Sequence, residues 1–291
     1  MLDLINSKEN LYADNIAKVE QYDFSRANSS DEARTLAITT IATVCTQKFD
    51  SIGSEKLCTK LLTEAHGIPS SAYGFVPVLL NTYQFFEIFF MVENAETLRD
   101  DRFPKTLNIK KFGEVIEDGK YLLTNLRALV NDIGLKASKE FYNTDENEIA
   151  IIKKHFKVFK HKMDIRSARQ FMRHSTVVWQ ELSRRYVSGK KVPFEFYISE
   201  KMKNVNSISV GSYTEEIIQI VENHYYQAIN QGISPQDARD ILPLCTYTEI
   251  WSGWQPFALE NMLTERTAIG TQWELRQTAL AIKEMIGEEK C

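Results

Sequence analysis

The stretch Ser167-Ala-Arg-Gln-Phe-Met-Arg-His-Ser-Thr-Val-Val-Trp-Gln-Glu-Leu-Ser-Arg-Arg-Tyr186 decides how the rest of the chain is read. It sets Arg169, Arg173, Arg184 and Arg185 beside His174, Gln170, Gln180, Glu181 and Ser183, among Phe171, Met172, Val177, Val178 and Trp179. Guanidinium groups this close to apolar side chains are costly unless they face an anion, and paired carboxylates or a bound phosphate are the usual remedy. The plainer alternative is a basic helix with a solvated face. Two features favour the anion site. The cations are mostly Arg, whose planar fork suits bidentate phosphate or carboxylate recognition, and the apolar residues keep no single helical stripe. Just upstream, Phe156 to Ile165 is rich in β-branched and aromatic residues and partly alternates, so a strand is expected to feed the stretch.

Composition bounds the partners. With 291 residues, 43% hydrophobic and 25% charged, the chain has the make-up of a soluble globular protein with a substantial core. A net charge of −4 leaves no general nucleic-acid footprint, so any anion site must be local and no polymeric nucleic acid is expected. Cys45, Cys58, Cys245 and Cys291 form no CxxC pair and no zinc-finger spacing with His, so reduced thiols and no metal site are expected. The first ten residues lack a basic region before an apolar core. The apolar cluster from Phe85 to Val92 is interrupted by Glu87 and is too short to span a bilayer. These features point to a cytoplasmic protein without a membrane segment.

Residues 1–30 read as polar and irregular apart from a short helix. Leu36 to Cys45, opened by Ser30, reads as helix or buried strand. Ser54 to His66 reads as an amphipathic helix stopped by Gly67, with His66 as a dipole partner at its end. In the span 81–150, the segment from Gly119 through Asn125 and Arg127 reads as a turn into a strand or a helix. Ser212 to Glu215 and Thr271 to Glu274 have the form of capping boxes opening helices, the first closed by Gly232. Ser234-Pro235 opens another helix, ending near Leu242-Pro243. With no internal repeat or low-complexity linker, residues 1–291 are expected to form one domain.

Arg173-His174-Ser175, then Ser183 within Gln180-Glu181-Leu-Ser-Arg-Arg185-Tyr186, resembles the signature of the flavin-dependent thymidylate synthases: Arg-His-Arg, seven residues, then Ser. The likeness extends to Ala238-Arg239-Asp-Ile-Leu-Pro243, and to Asn261 through Arg266 followed by Gln272-Trp-Glu-Leu-Arg276. It implies an α+β fold with a helix-rich C-terminal third packed with a mixed or antiparallel sheet, and a family-variable insertion at about 81–150. It also implies reductive methylation of dUMP to dTMP, with methylenetetrahydrofolate as carbon donor and NADPH reducing FAD, in a homotetramer with sites at subunit interfaces.

By the same resemblance, Arg266 polarises the uracil as the catalytic residue. Gln170, Glu181, Ser183, Arg185 and Arg239 join it in holding substrate, with Arg239 reaching the phosphate from another subunit. His66, Arg173, His174, Ser175, Gln180, Glu181, Gln255 and Asn261 occupy positions on the cofactor side. Longer family members carry a similar element in the insertion, which brings in Asn125 and Arg127. The substrate positions are all kept, but cofactor positions depart. Ser175 replaces Arg, Gly270 replaces His, Gln255 and Phe257 stand for Asn and Arg, and the Glu-His expected near Ser71 and Ala72 is missing. The resemblance therefore implies weaker flavin binding. Its rivals are a relative acting on another pyrimidine nucleotide and a nucleotide-binding protein without flavin.

Overall fold

A computed structural model of the chain describes residues 2–9, 11, 17–63, 71–96, 107–142, 144–199, 202 and 210–288. Its strands are β1 (Asp3–Lys8), β2 (Lys18–Asp23), β3 (Pro77–Asn81), β4 (Glu114–Ile116), β5 (Tyr121–Asn125), β6 (Lys157–Asp164), β7 (Val178–Glu181) and β8 (Tyr247–Trp254). The helices before β6 are α1 (Asp31–Thr46), α2 (Glu55–Thr63), α3 (Thr82–Glu96), α4 (Asn108–Lys111), α5 (Leu126–Ser138) and α6 (Glu146–His155). After it come α7 (Ile165–Phe171), α8 (Val210–Asn230), α9 (Pro235–Ala238), α10 (Pro256–Thr267) and α11 (Trp273–Glu288).

Five strands form an antiparallel sheet in the order β1-β2-β6-β8-β7, and three more form an antiparallel sheet in the order β3-β5-β4. Alternation along the central strands divides the core between two faces. Phe159, Met163, Ile250 and Trp254 pack with Phe171, Met262, Leu275 and Ile282 from α7, α10 and α11. Val158 and Trp251 point the other way, into a cluster with Ile38, Ile41 and Val44 of α1 and with Leu123 and Leu129 of the small sheet and α5. The sheet therefore carries the C-terminal helices on one face and α1 with the insertion on the other.

Several expectations meet the structure directly. The strand ahead of the quoted stretch is β6. The stretch itself is not one helix. It is α7, a turn in which Thr176 has φ +67°, and then β7. Leu36 to Cys45 is helical, with Ser30 capping α1 by accepting from the Ala33 N–H. The segment from Gly119 is both alternatives in turn, strand β5 and then α5, and β5 forms a hairpin with β4. The irregular start is corrected: β1 and β2 are strands, because Val19 and Gln21 are buried where β2 pairs with β6. Neither capping box opens a helix. Ser212 lies inside α8, while α11 starts at Trp273 and the Thr271 hydroxyl donates to the Glu265 carbonyl. Gly232, at φ +88°, does end α8, and Ser234 caps α9 with Pro235 at its first position.

Candidate active site

The signature residues gather at the two ends of β7. At its C-terminal end, Leu182 continues the ladder by donating its N–H to Glu249 at 2.8 Å, and the Ser183 N–H donates to the Cys45 carbonyl at 3.3 Å. Asp164 caps α7, accepting from the Ser167 N–H at 3.1 Å, and this helix sets Arg169 on the same side. The turn after α9 supplies Arg239. Together Cys45, Arg169, Glu181, Ser183, Arg184 and Arg239 line a cleft of about 610 Å³.

The cations of this cleft are held in two ways. Arg184 is buried: its Nη1 donates to the Val192 carbonyl at 2.6 Å, its guanidinium lies 4.7 Å from the Phe194 ring centre, and burial pulls its pKa down. It is a structural arginine. Arg185 and Arg239 are exposed and both meet Gln236. Arg185 Nε donates to its side-chain oxygen, and Arg239 Nε donates to its carbonyl at 3.2 Å. Uncharged acceptors leave the positive charge of both uncompensated, as a phosphate site requires. The Glu181 carboxyl accepts from Thr248 Oγ1 at 2.9 Å. Burial raises its pKa, against the opposing effects of that hydrogen bond and of Arg169. The chain's own Arg239 lines the cleft beside Ser183.

At the other end of β7, His174 packs against Phe171 and Trp254 with ring centres 6.3 and 5.9 Å away. Arg266, on the last turn of α10, donates from Nε to His174 Nε2 at 2.9 Å, so the imidazole is neutral and fixes the guanidinium. Burial lowers the His174 pKa, helped by the Arg266 charge and opposed by Glu265. Gln170, one turn before His174, donates to Gln272 Oε1, and Gln272 in turn donates to Ser167 Oγ at 3.2 Å and to Glu274 at 3.0 Å. Glu181 is bonded to Thr248 and His174 packs on Trp254. Six residues of β8 separate those contacts, about 20 Å of extended strand. One chain therefore does not bring Arg266 to Glu181, Ser183, Arg185 and Arg239.

The expected cofactor positions lie mainly around the second end. Arg173 and Ser175 are exposed, and Asn261 is an exposed residue of α10 whose amide donates to Glu265 at 3.4 Å. Gln255 precedes α10, buried, with Nε2 donating to the Phe112 carbonyl, while the Phe257 N–H donates to the Glu114 carboxylate at 2.7 Å. Gln180 is turned inward, accepting from Ser71 Oγ and donating to Cys45 Sγ. His66 lies outside the described residues. Two cavities flank residues 176–179. One, of about 340 Å³, is lined by Ser71, Asn125, Arg127 and Trp179, and the other, of about 380 Å³, by Lys111, Phe112, Thr176 and Gln255. Asn125 also caps α5, accepting from the Ala128 N–H at 3.0 Å.

Sequence reasoning passed over Cys45, Arg169, Gln236 and Gln272 as site residues. Arg169 was visible as one more guanidinium in the stretch. Nothing around Cys45 or Gln236 marked them, because only the tertiary fold brings α1 and α9 to β7. Among the described residues no three His, Cys, Asp or Glu side chains gather as a metal site, and no helix is long and apolar enough to cross a membrane.

Comparison with known proteins agrees with this geometry. Residues 151–289, which hold most of the residues just described, match the family described as Thymidylate synthase complementing protein. The chain is 31% identical over 211 residues to a flavin-dependent thymidylate synthase of Aquifex aeolicus, covering 64% of this chain and 63% of the relative. It is 34% identical over 137 residues to one of Thermotoga neapolitana, covering 46% and 62%, and 33% identical over 158 residues to one of Thermus thermophilus, covering 50% and 56%. The chain thus spans less than two thirds of the length of these relatives. With the signature around β7 and the arginines at its two ends, the chain is similar over these regions to flavin-dependent thymidylate synthases.

Proposed function

We propose that this chain is itself a flavin-dependent thymidylate synthase, converting dUMP to dTMP with methylenetetrahydrofolate as carbon donor and NADPH-reduced FAD. The observation that carries the reading is the division of one substrate site into two halves. The cleft end offers Ser183, Arg185 and Arg239 for a phosphate, and the other end offers Gln170 and an oriented Arg266 for a base. A second copy, supplying its Arg266 end to the first copy's cleft, completes the site. This favours the homotetramer with interfacial sites. We read residues 1–291 as a single domain of the family's fold, with its insertion at about 81–150, working in the cytoplasm.

Each half has a task the chemistry needs. Bonding carbon at C5 of uracil calls for electron density there, and the Arg266 guanidinium against a ring carbonyl stabilises the enolate-like charge that develops. Neutral His174 holds that guanidinium in place without cancelling its charge. Gln236 holds Arg185 and Arg239 for the phosphate dianion. Buried Gln255 Oε1 and Trp179 Nε1 lack partners beside the cavities along 176–179, and such orphaned polar atoms fit a bound cofactor. Arg173, His174, Asn261 and Gln255 would hold the FAD, which supplies hydride when bound. The test is formation of dTMP from dUMP by the purified protein given methylenetetrahydrofolate, NADPH and FAD. Absence of dTMP with flavin bound would leave a nucleotide-binding role.

A further inference from the structure

Helix α3 of the insertion carries five aromatic rings in the eight residues from Tyr83 to Phe90. Its inward side is satisfied: Ile88 and Val92 are buried, and Phe85 and Met91 pack against the same core cluster. Its outward side is not. Tyr83 is 88% exposed, Phe86 50% and Phe90 56%, and Val115 of β4, which lines a cavity with Thr82 and Phe85, is 64% exposed. Steps of three and four residues set Tyr83, Phe86 and Phe90 in one stripe along the helix, and Glu87 and Glu93 share it. A contiguous stripe of large exposed rings marks a contact surface, because aromatic residues are enriched at interfaces and costly to leave in water.

The charges of this face are arranged to complement themselves. At the amino end of α3 a cavity of about 200 Å³ opens against the β4–β5 hairpin, with Lys110 and Lys120 in its lining. Both lysines are exposed, as are Glu87 and Glu93 further along the helix, and none of the four makes an ion pair among the described residues. We propose that a second copy of this chain covers the face, with its α3 antiparallel to the first about a two-fold axis near Ile88. A two-fold contact needs a patch complementary to itself, and the spacing supplies one. Phe86 of one copy meets Phe90 of the other, and Tyr83 meets Glu93, whose carboxylate then lies beside the Lys110 and Lys120 rim. A lipid surface suits the stripe less, because Glu87 and Glu93 stand within it and the net charge of −4 opposes anionic headgroups. The stripe shares no residue with the Arg239 cleft or with the Arg266–His174 contact, so this contact is separate from the shared substrate site and holds whether or not flavin binds.

Sedimentation velocity of the full chain over a range of concentrations tests the interface. Wild type should assemble, and Phe86→Glu should raise the dissociation constant roughly tenfold or more with an unchanged circular dichroism spectrum, as loss of an aromatic anchor does. The exposed charges give a second test that leaves the packing of α3 untouched. Glu93→Lys and Lys120→Glu should each weaken assembly roughly a few-fold, and the two combined in one chain should restore it, because each copy then offers the reversed pair. Assembly of Phe86→Glu equal to wild type, or a double variant no better than the single ones, would overturn the interface and leave the shared substrate site standing. Wild type that is monomeric at every concentration would overturn both. Monomers that sediment with phosphatidylserine vesicles in wild type but not in Phe86→Glu would overturn the second copy in favour of a lipid surface.

Discussion

At the Glu181 end of β7, Arg185 and Arg239 reach solvent and lean on the uncharged oxygens of Gln236, whereas at the Trp179 end the Arg266 side chain is only 20% exposed and is clamped by a neutral imidazole. The first arrangement keeps charge available and mobile, which suits a phosphate dianion arriving from water. The second fixes one guanidinium among aromatic rings, where a small change in the charge of its ligand is felt strongly. Under the proposed function, the difference gives the two ends separate tasks on one nucleotide. In that reading one end captures the phosphate and the other orients the base, with about 20 Å of strand between them within one chain.

The largest effect expected concerns what supports the oriented end. His161 on β6 is fully buried beside Phe171, with Nε2 2.8 Å from Ser252 Oγ, and burial pushes its pKa down to about 3. Between its ordinary value of 6.5 and about 3, the unfolded chain takes up a proton that the folded chain refuses. Stability is therefore whole above pH 6.5 and falls as the pH drops toward 3, by on the order of 4–5 kcal/mol from this group. Urea unfolding across that range should show a shallower pH dependence for His161→Gln, and an identical slope in wild type and variant would contradict it.

Next in size is Arg266→Ala. Removing a donor aimed at developing charge costs about 2.7–4 kcal/mol in turnover, roughly 10²–10³-fold in kcat, on top of about 1.5–3 kcal/mol in dUMP affinity for the lost contact to the base. Single-turnover dTMP formation checks this, and a variant impaired only in binding would erase the contrast between the two ends. At the capture end, Arg239→Ala should weaken dUMP by about 1.5–3 kcal/mol while leaving deoxyuridine, which has no phosphate, unaffected. Calorimetry with both ligands decides the point, since an equal loss for both would detach Arg239 from the phosphate. The smallest effect is at exposed Ser175. Ser175→Arg restores the family's residue and should tighten FAD by no more than a few-fold, the range of exposed ionic contacts. No tightening in a flavin fluorescence titration would contradict the placing of Ser175 beside the flavin.

How much of this was legible in the residues differs by region. Arg173-His174, Glu181, Ser183 and Arg185 sit at the spacing of the family signature, although the turn and the strand β7 that carry them were not read from the sequence. The site could therefore be named before its geometry was known. The separation of Arg266 from Glu181 was not legible, because it depends on which end of β8 each side chain meets, and register is set by pairing across 69 to 75 residues of chain, from Glu181↔Ile250 to Val178↔Gly253. The inward turn of Gln180 toward Ser71 and Cys45 had the same origin. The strands β1 and β2 were missed because their residues are mostly polar, and their pairing with β6 outweighs weak local preference. In the insertion, the period changes within nine residues from strand to helix, so a single window over Gly119 to Arg127 fits neither pattern.

Mixing two impaired variants tests the shared site most directly. Arg239→Ala lacks a complete capture end and Arg266→Ala lacks the orienting end, yet each keeps the half the other has lost. If one nucleotide is held between the cleft of one copy and the Arg266 end of another, dissociating and reassembling the two together should raise dTMP formation at subsaturating dUMP above the sum of the two variants assayed separately. Mixed assemblies no more active than that sum would contradict the account.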